Sequence, residues 1–461
     1  MVMFPDSVVC ILQDNYTNTL TSKMHLGKRN RLLNTEIDVT FAFRNYEAVQ
    51  AMYLFYTELI NNTQDEFLIN IPIFGFEDKY VVRLDSPMSW TSIAGATGQM
   101  DAKLRVVEHL RGLNAADFEI DINVLEDEKD TEYDIYAEAS SSTTATIYVF
   151  GDVGYKKIDN IDENGQTITI KGNNKVYGIN INRFRIFDNS VVENVFVHKN
   201  EKQTNAYRMF MSNGELTYIG ANPYTFGNVK DFSWFATYAN KLSNIDTFDT
   251  SKGVVFNYFL MECYELREIP YFDVSGGESF YYFARSLRKL EKVAPLNFAS
   301  AITTESALYD IGLDTVNGTL LQGTISLPEC TNIDSMLRYS KIQNDIKVVA
   351  PKVTNAQYAF AQTTFKKVEV AFNKSVDCKE AFWRSHFDAL KIVANKAFDN
   401  VYYMFEDIEI SCIKGKLWTD EDTDGKEYMF GNADSITTPD QDAKDALMSD
   451  DGSIWENDTC S

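Results

Sequence analysis

A chain of 461 residues with 44% apolar and 13% aromatic side chains holds core material for roughly two to four domains, which excludes wholesale disorder. Its 67 acidic residues against 43 basic ones leave a formal charge of −24, which repels phosphate backbones and anionic membrane surfaces and argues against a nucleic-acid partner. The six cysteines show no CxxC or Cys/His spacing, so no zinc site or small disulfide framework is indicated, and no apolar run approaches the length of a membrane span.

Residues 1–112 read as a compact mixed domain. The apolar stretch from Val8 to Leu12 is too short for a signal-peptide core and follows no basic leader, so synthesis in a cytoplasm with free thiols is the expectation. Thr35 to Phe43 alternates apolar and polar residues, the period of a strand with one buried face. Asn45 then offers an N-cap, and Val49, Met52, Tyr53, Tyr56 and Leu59 share one helical face. Further strands are expected at 65–73, 79–86 and 100–110, in the order β-α-β-β-β.

Residues 113–205 are all-β in pattern, with short alternating runs at 118–125, 132–139, 144–151, 166–172 and 175–182. Asn164-Gly165 is a hairpin signal. A small sandwich or barrel fits, with a spacer role as its plainest use.

From 206 to 415 the chain repeats. Phe235, Phe259 and Phe283 are 24 apart, and so are Leu242, Leu266 and Leu290. Ile245, Ile269 and Val293 keep the same step, as do Phe248, Phe272 and Leu296. Looser copies carry Phe360 and Phe365, then Phe382 and Phe387, then Phe405, and the stretch from Arg208 to Gly220 looks like an atypical first copy. These make roughly eight units, and a period of about 20–29 with fixed Leu/Ile columns is that of a leucine-rich solenoid. Each unit is expected to form a helical turn carrying the Phe, then a short strand carrying Leu-x-x-Ile. Neither piece can bury its apolar residues alone; stacking provides the partners, at roughly 1.5–3 kcal/mol per buried side chain. Residues 416–461 form an acidic cap or tail.

Within these units, "YFLMECYELREIPYFDVS" resembles a BspA-type leucine-rich repeat. Cys263 falls on that family's cysteine and Asp249-Thr250-Ser251 on its turn. The resemblance implies binding, since such repeats occur in surface and adhesion proteins. The N-terminal region is similar to small attachment domains of bacteriophage minor tail and tail-tip proteins. Gly27, Lys28, Arg29, Arg83, Pro87 and Trp90 carry that likeness.

No catalytic constellation assembles. His25, His109, His198 and His386 are dispersed, without a nucleophile or orienting carboxylate at a recognisable spacing. Asp420 to Gly425 gives the first half of a calcium loop, but Gly431 stands where the closing Glu belongs, so a solvated acidic turn is expected and no metal or cofactor is assigned. Trp234, Tyr258, Tyr281, Tyr282, Trp383, Tyr402 and Tyr403 recur beside the Phe column, as packing or as a carbohydrate or protein contact strip. The favoured recognition surface is the strand face, whose outward positions are Asn244, Asp246, Arg267, Glu268 and Glu291. Lys292, Lys367, Glu369 and Lys391 complete it, with solvation alone as the plain alternative.

The expected fold is therefore multidomain, α+β and β: a β-α-β docking domain, a small all-β domain, a leucine-rich solenoid and an acidic terminal segment. The expected function is non-enzymatic: a phage tail-tip or baseplate component, assembled in the host cytoplasm as a homo-oligomer. It docks on other tail proteins through residues 1–112 and presents the solenoid to a host receptor, protein or glycan, without membrane insertion. The alternative is a bacterial cell-surface or secreted adhesin of the same repeat family.

Overall fold

The computed structural model describes seven strands among the first 115 residues, then residues 116–414 except 152–153, 188–190, 375, 395–397 and 411–412, and finally Met429. The seven strands form one sheet in the order Val2–Met3, Phe67–Ile73, Phe76–Leu84, Thr97–His109, Glu36–Phe43 and Val9–Leu12, with Ser89–Ala94 also pairing to Thr97–His109. Tyr80, Val82 and Leu84 are buried while Arg83 between them is exposed, the period-two pattern of a sheet with one covered face. The helix expected after Asn45 lies outside the described residues, as do Gly27, Lys28, Arg29 and Pro87. Among the described residues there is no α-helix, so the β-α-β reading finds no support there, and the described part of residues 1–112 is strand.

Residues 116–200 build two facing sheets. One runs Gly154–Ile161, Ala145–Gly151, Asn174–Ile179, Phe118–Val124 and Val192–Asn200, and the other runs Gln166–Lys171, Glu132–Ala139 and Ile181–Ile186. Asn164-Gly165 does not close a hairpin. The strands on either side of it belong to different sheets, so the turn is a corner that carries the chain from one layer to the other. Gly165 takes φ +74° there, and a Cβ would strike the Tyr136 ring.

Both layers then continue into the repeats. Val192–Asn200 pairs in parallel with Tyr218–Ala221, which pairs with Asn244–Ile245, while Arg183 of the other layer bridges to Asn205. One apolar core runs from Phe118 through the repeats to Phe405 and Ile408.

The repeats wind into a β-solenoid of about nine coils. Asn205, Asp231, Val255, Ser279 and Thr303 open the first five coils, and Asn332, Asn355, Asp377 and Asn400 open the rest, each bridged in parallel to the next. Six of these openers are Asn or Asp, and each accepts the backbone N–H two residues on, as in Tyr207 N to Asn205 Oδ1 at 2.7 Å and Lys379 N to Asp377 Oδ1 at 3.0 Å.

The segment after each opener is not a helical turn, although its apolar spacing imitates one. Phe256, Tyr258, Leu260 and Glu262 donate their backbone N–H groups to Ser279, Tyr281, Phe283 and Arg285 of the next coil, at 2.8–2.9 Å. The alternation requires left-handed residues, Tyr258 and Glu262 here, and the same paired positions recur in every coil from Arg208/Ser212 to Tyr403/Asp407. The backbone is therefore satisfied between coils, where a helix would satisfy it within one.

The apolar columns seen in the sequence stack as expected. Phe235, Phe259 and Phe283 lie 5.2 and 5.4 Å apart with near-parallel rings, and Phe232, Phe256 and Phe280 form a second stack at 5.2 and 5.3 Å. These steps are close to the spacing of hydrogen-bonded strands. Leu242, Leu266 and Leu290 are fully buried in the same core. The Asp249-Thr250-Ser251 turn closes on itself, with Ser251 N donating to Asp249 Oδ1 (2.9 Å) and Thr250 Oγ1 reaching Asp273 O of the next coil (2.8 Å).

Strand length on the other side varies with sequence. Glu268–Ile269 and Lys292–Val293 are two residues long, and Pro270 and Pro295, which bring no N–H to a ladder, follow soon after. Thr364–Phe372 and His386–Ala394 contain no proline, are rich in β-branched and aromatic residues, and pair along their length.

Candidate functional site

Two long surfaces run along the coil stack, and the sequence reading favoured the strand face. The structure brings most of its nine positions together, largely against one another. Glu268 and Lys292 sit opposite in register and form an ion pair, and Arg267 Nη1 lies 2.5 Å from Glu291 Oε1. Glu369 bridges Lys347 at 2.6 Å and Lys391 at 3.4 Å. Those two lysines, the Lys347 hydrogen bond first, hold its carboxyl below the usual carboxylate range. Asp246 is half-buried and accepts from Tyr218 Oη (2.6 Å) and Ala221 N (3.2 Å). Burial and that carboxylate push the Tyr218 hydroxyl up to about 12. Asn244 is exposed beside Tyr218 in the ladder, and Lys367 is exposed opposite Ala389.

The same coil-to-coil pairing appears at Lys241–Glu215 (2.5 Å), Lys289–Glu265 (2.6 Å) and Lys352–Glu329. Each exposed pair contributes about 0.2–1 kcal/mol, so the set acts more on coil register than on total stability. The charges that looked available for a partner are engaged as a zipper.

The second surface is the turn edge, two to seven residues after each opener. Arg183 lies over the Tyr136 and Tyr207 rings at 5.6 and 5.0 Å, and Arg208 over Tyr207 and Trp234 at 4.9 and 5.5 Å. Trp234 stacks on Tyr258 at 4.0 Å, and Tyr258 meets Tyr281 and Tyr282 at 5.3 and 5.2 Å. Arg285 is held between Tyr282 and Tyr309, both at 4.4 Å. Tyr309 meets Tyr339 at 5.3 Å, and Arg338 lies over Tyr339 and Tyr358 at 4.9 and 4.5 Å. The contacts thus form an unbroken file from the sandwich to the seventh coil, each about 0.5–2 kcal/mol.

This file is costly to hold. Trp234, Tyr258, Tyr282, Tyr358 and Tyr403 sit at φ between 51° and 60°, where a bulky residue costs roughly 1–2 kcal/mol relative to the right-handed region. Arg208 and Arg338 keep a buried Nε with no hydrogen-bond partner. Carboxylates share the edge in the fifth and sixth coils: burial raises the pKa values of Glu305, Asp310 and Asp334, and at Glu305 the neighbouring Asp334 raises it further. The sequence reading noted Trp234, Tyr258, Tyr281 and Tyr282 but neither the other five tyrosines of the file nor the arginines; the missed signal was an Arg at the third or sixth place after an opener.

A third feature lies where sandwich meets solenoid: an open cleft of about 430 Å³ walled by His198, Glu201, Asn222, Tyr224 and Asn228. His198 Nε2 is 2.8 Å from Asp121 Oδ2, a carboxylate partner 77 residues away that spacing in the sequence could not reveal. The Thr225 hydroxyl on the cleft wall is engaged with Asn222 O at 2.7 Å. Cys263, Cys330 and Cys378 are buried free thiols; burial pushes the Cys263 thiol well up, and its Sγ donates to Ala236 O at 3.2 Å. The acidic turn at 420–425 lies outside the described residues. Among the described residues no group of three or more His, Cys, Asp or Glu is placed to hold a metal ion. Comparison with family models, with curated proteins and with solved structures gave no match to this chain.

Proposed function

We propose that this chain is a non-enzymatic structural protein of a virion, a bacteriophage tail-tip or baseplate component. Its solenoid, of the BspA leucine-rich type, is the part offered to a host receptor or partner tail protein. The observation that carries the reading is the single apolar core that passes from the sandwich through all the coils. A stack joined in this way holds an extended surface in fixed geometry, which suits presentation better than turnover. Residues 1–112 dock on neighbouring tail proteins, and several copies around a ring convert weak contacts into avidity. Particles purified on a density gradient are expected to contain the chain in a copy number set by tail symmetry; its absence from particles overturns the reading.

A bacterial surface or secreted adhesin is the second reading, favoured by the likeness of Cys263 and the Asp249-Thr250-Ser251 turn to repeats of surface proteins. That reading places the chain in the cell-envelope or medium fraction of cells carrying no phage.

A further inference from the structure

The turn edge is built in a way that folding alone does not require. Left-handed backbone is most easily held by Gly or Asn, yet the position three after the opener is Trp or Tyr in five coils, and in none is it Gly or Asn. The rings are half-buried, so each keeps a side to solvent. Arg208, Arg285 and Arg338 are fixed between rings, with no carboxylate at ion-pair distance among the described residues. Glu305, Asp310 and Asp334 lie on the same edge, between Arg285 and Arg338.

We propose that this edge is a track for an extended, uncharged polysaccharide lying along the coil stack from Tyr207 to Tyr358. The inference rests on the solenoid being the recognition module and moves recognition from the strand face to the turn edge. Charge selects the ligand class. A polyanion would meet Glu305, Asp310 and Asp334, and a polycation would meet the three guanidinium groups. Sugar hydroxyls donate to the first and accept from the second, so a neutral glycan satisfies both without displacing either. The apolar faces of sugar rings suit aromatic side chains that keep a polar tip in water.

Dimensions agree. Six coil steps of about 4.8 Å give a track roughly 30 Å long, the reach of an oligosaccharide segment. A folded partner needs a broad patch of ~800 Å² per side, whereas this file is narrow. Pre-ordering adds to the fit, because rings and guanidinium groups already clamped by their neighbours lose little freedom when a ligand arrives.

The test uses the full chain in affinity electrophoresis through gels containing dextran, laminarin, galactomannan or xyloglucan, with polygalacturonate and chitosan as charged comparators. At least one neutral polymer is expected to retard the protein more than either charged one. Tyr258→Asn and Tyr282→Asn place a residue that tolerates left-handed backbone at each site. They are expected to weaken that retardation at least tenfold while leaving the thermal midpoint unchanged or higher. The pair Arg267→Ala and Lys292→Ala on the strand face is expected to leave retardation intact. The inference fails if no neutral polymer retards the chain, if only charged ones do, or if the tyrosine variants melt early with retardation unchanged. Failure here with the chain still present in particles leaves the virion reading standing; glycan binding lost with Tyr258 but absence from particles removes that reading and keeps the track.

Discussion

The turn edge and the strand face wind around the same core but solve the stacking problem differently. On the turn edge the bridge from coil to coil is unbroken from Asn205 to Asn400, with strained residues in every coil. On the strand face the ladder divides into three sheets: it breaks after Asn244–Ile245, and beside Leu320–Leu321 it narrows to the isolated Thr319–Ile342 bridge. The turn edge is thus the spine of the solenoid, and the strand face is a set of shorter sheets laced together by ion pairs. Backbone continuity, more than strand content, decides where the fold is specified.

The sharpest way to break that spine is to empty its core. Phe259 is fully buried and stacks on both Phe235 and Phe283, so Phe259→Ala is expected to cost about 3–5 kcal/mol. Guanidinium titration followed by circular dichroism measures it. A loss under 1 kcal/mol would mean that the coils do not share one core. Removing an opener tests the backbone side of the same spine. Asn355 Oδ1 accepts Gln357 N at 3.1 Å, so Asn355→Ala is expected to cost about 1 kcal/mol and Asn355→Asp much less.

The columns of Phe, Leu and Ile were legible because apolar periodicity survives in sequence whatever the hydrogen bonds do. The opener was not. The apolar columns are clearest in coils two to four, which begin with Asp231, Val255 and Ser279, so two of the three best-aligned windows lack the Asx signal. The helical reading of the Phe segment failed for a related reason. Phe256, Phe259, Leu260 and Cys263 have the spacing of a helical face, but Phe256, Tyr258 and Leu260 find their acceptors in the following coil. A donor's distant partner leaves no mark on local spacing.

The site was legible in kind and incomplete in assignment. Outward positions on the strand face could be named from alternation, but their ion-pair partners sit one coil away. Likewise Tyr258 could be noted as an aromatic beside the core, while its stack on Trp234 depends on the coil step.

The strand-face zipper should yield smaller effects than the spine. A double-mutant cycle on Arg267 and Glu291, each to Ala, is expected to show a coupling of about 0.2–1 kcal/mol that shrinks in 1 M salt. A coupling comparable to the Phe259 loss would overturn the division between spine and lacing.

Acid titration separates the two surfaces by sign. Glu369 on the strand face has its folded pKa depressed by Lys347 and Lys391, so its contribution is present above the unfolded carboxylate range and is lost as pH falls through the folded value. Asp334 on the turn edge has its folded pKa raised, chiefly by burial, so its charged form opposes folding at neutral pH and the penalty fades as pH falls through that raised value. Glu369→Gln is therefore expected to lower the thermal midpoint slightly at pH 7 and to match the parent once pH has fallen through the folded value. Asp334→Asn keeps an acceptor for the Ser335 hydroxyl, now 2.7 Å from Asp334 Oδ1, and is expected to raise the midpoint at pH 7. That gain should shrink as the parent's own carboxyl protonates. Midpoints from scanning fluorimetry across pH 3–7 decide it: if both variants move the same way at pH 7, paired and buried carboxylates do not divide between the two surfaces, and the contrast in their electrostatics falls with them.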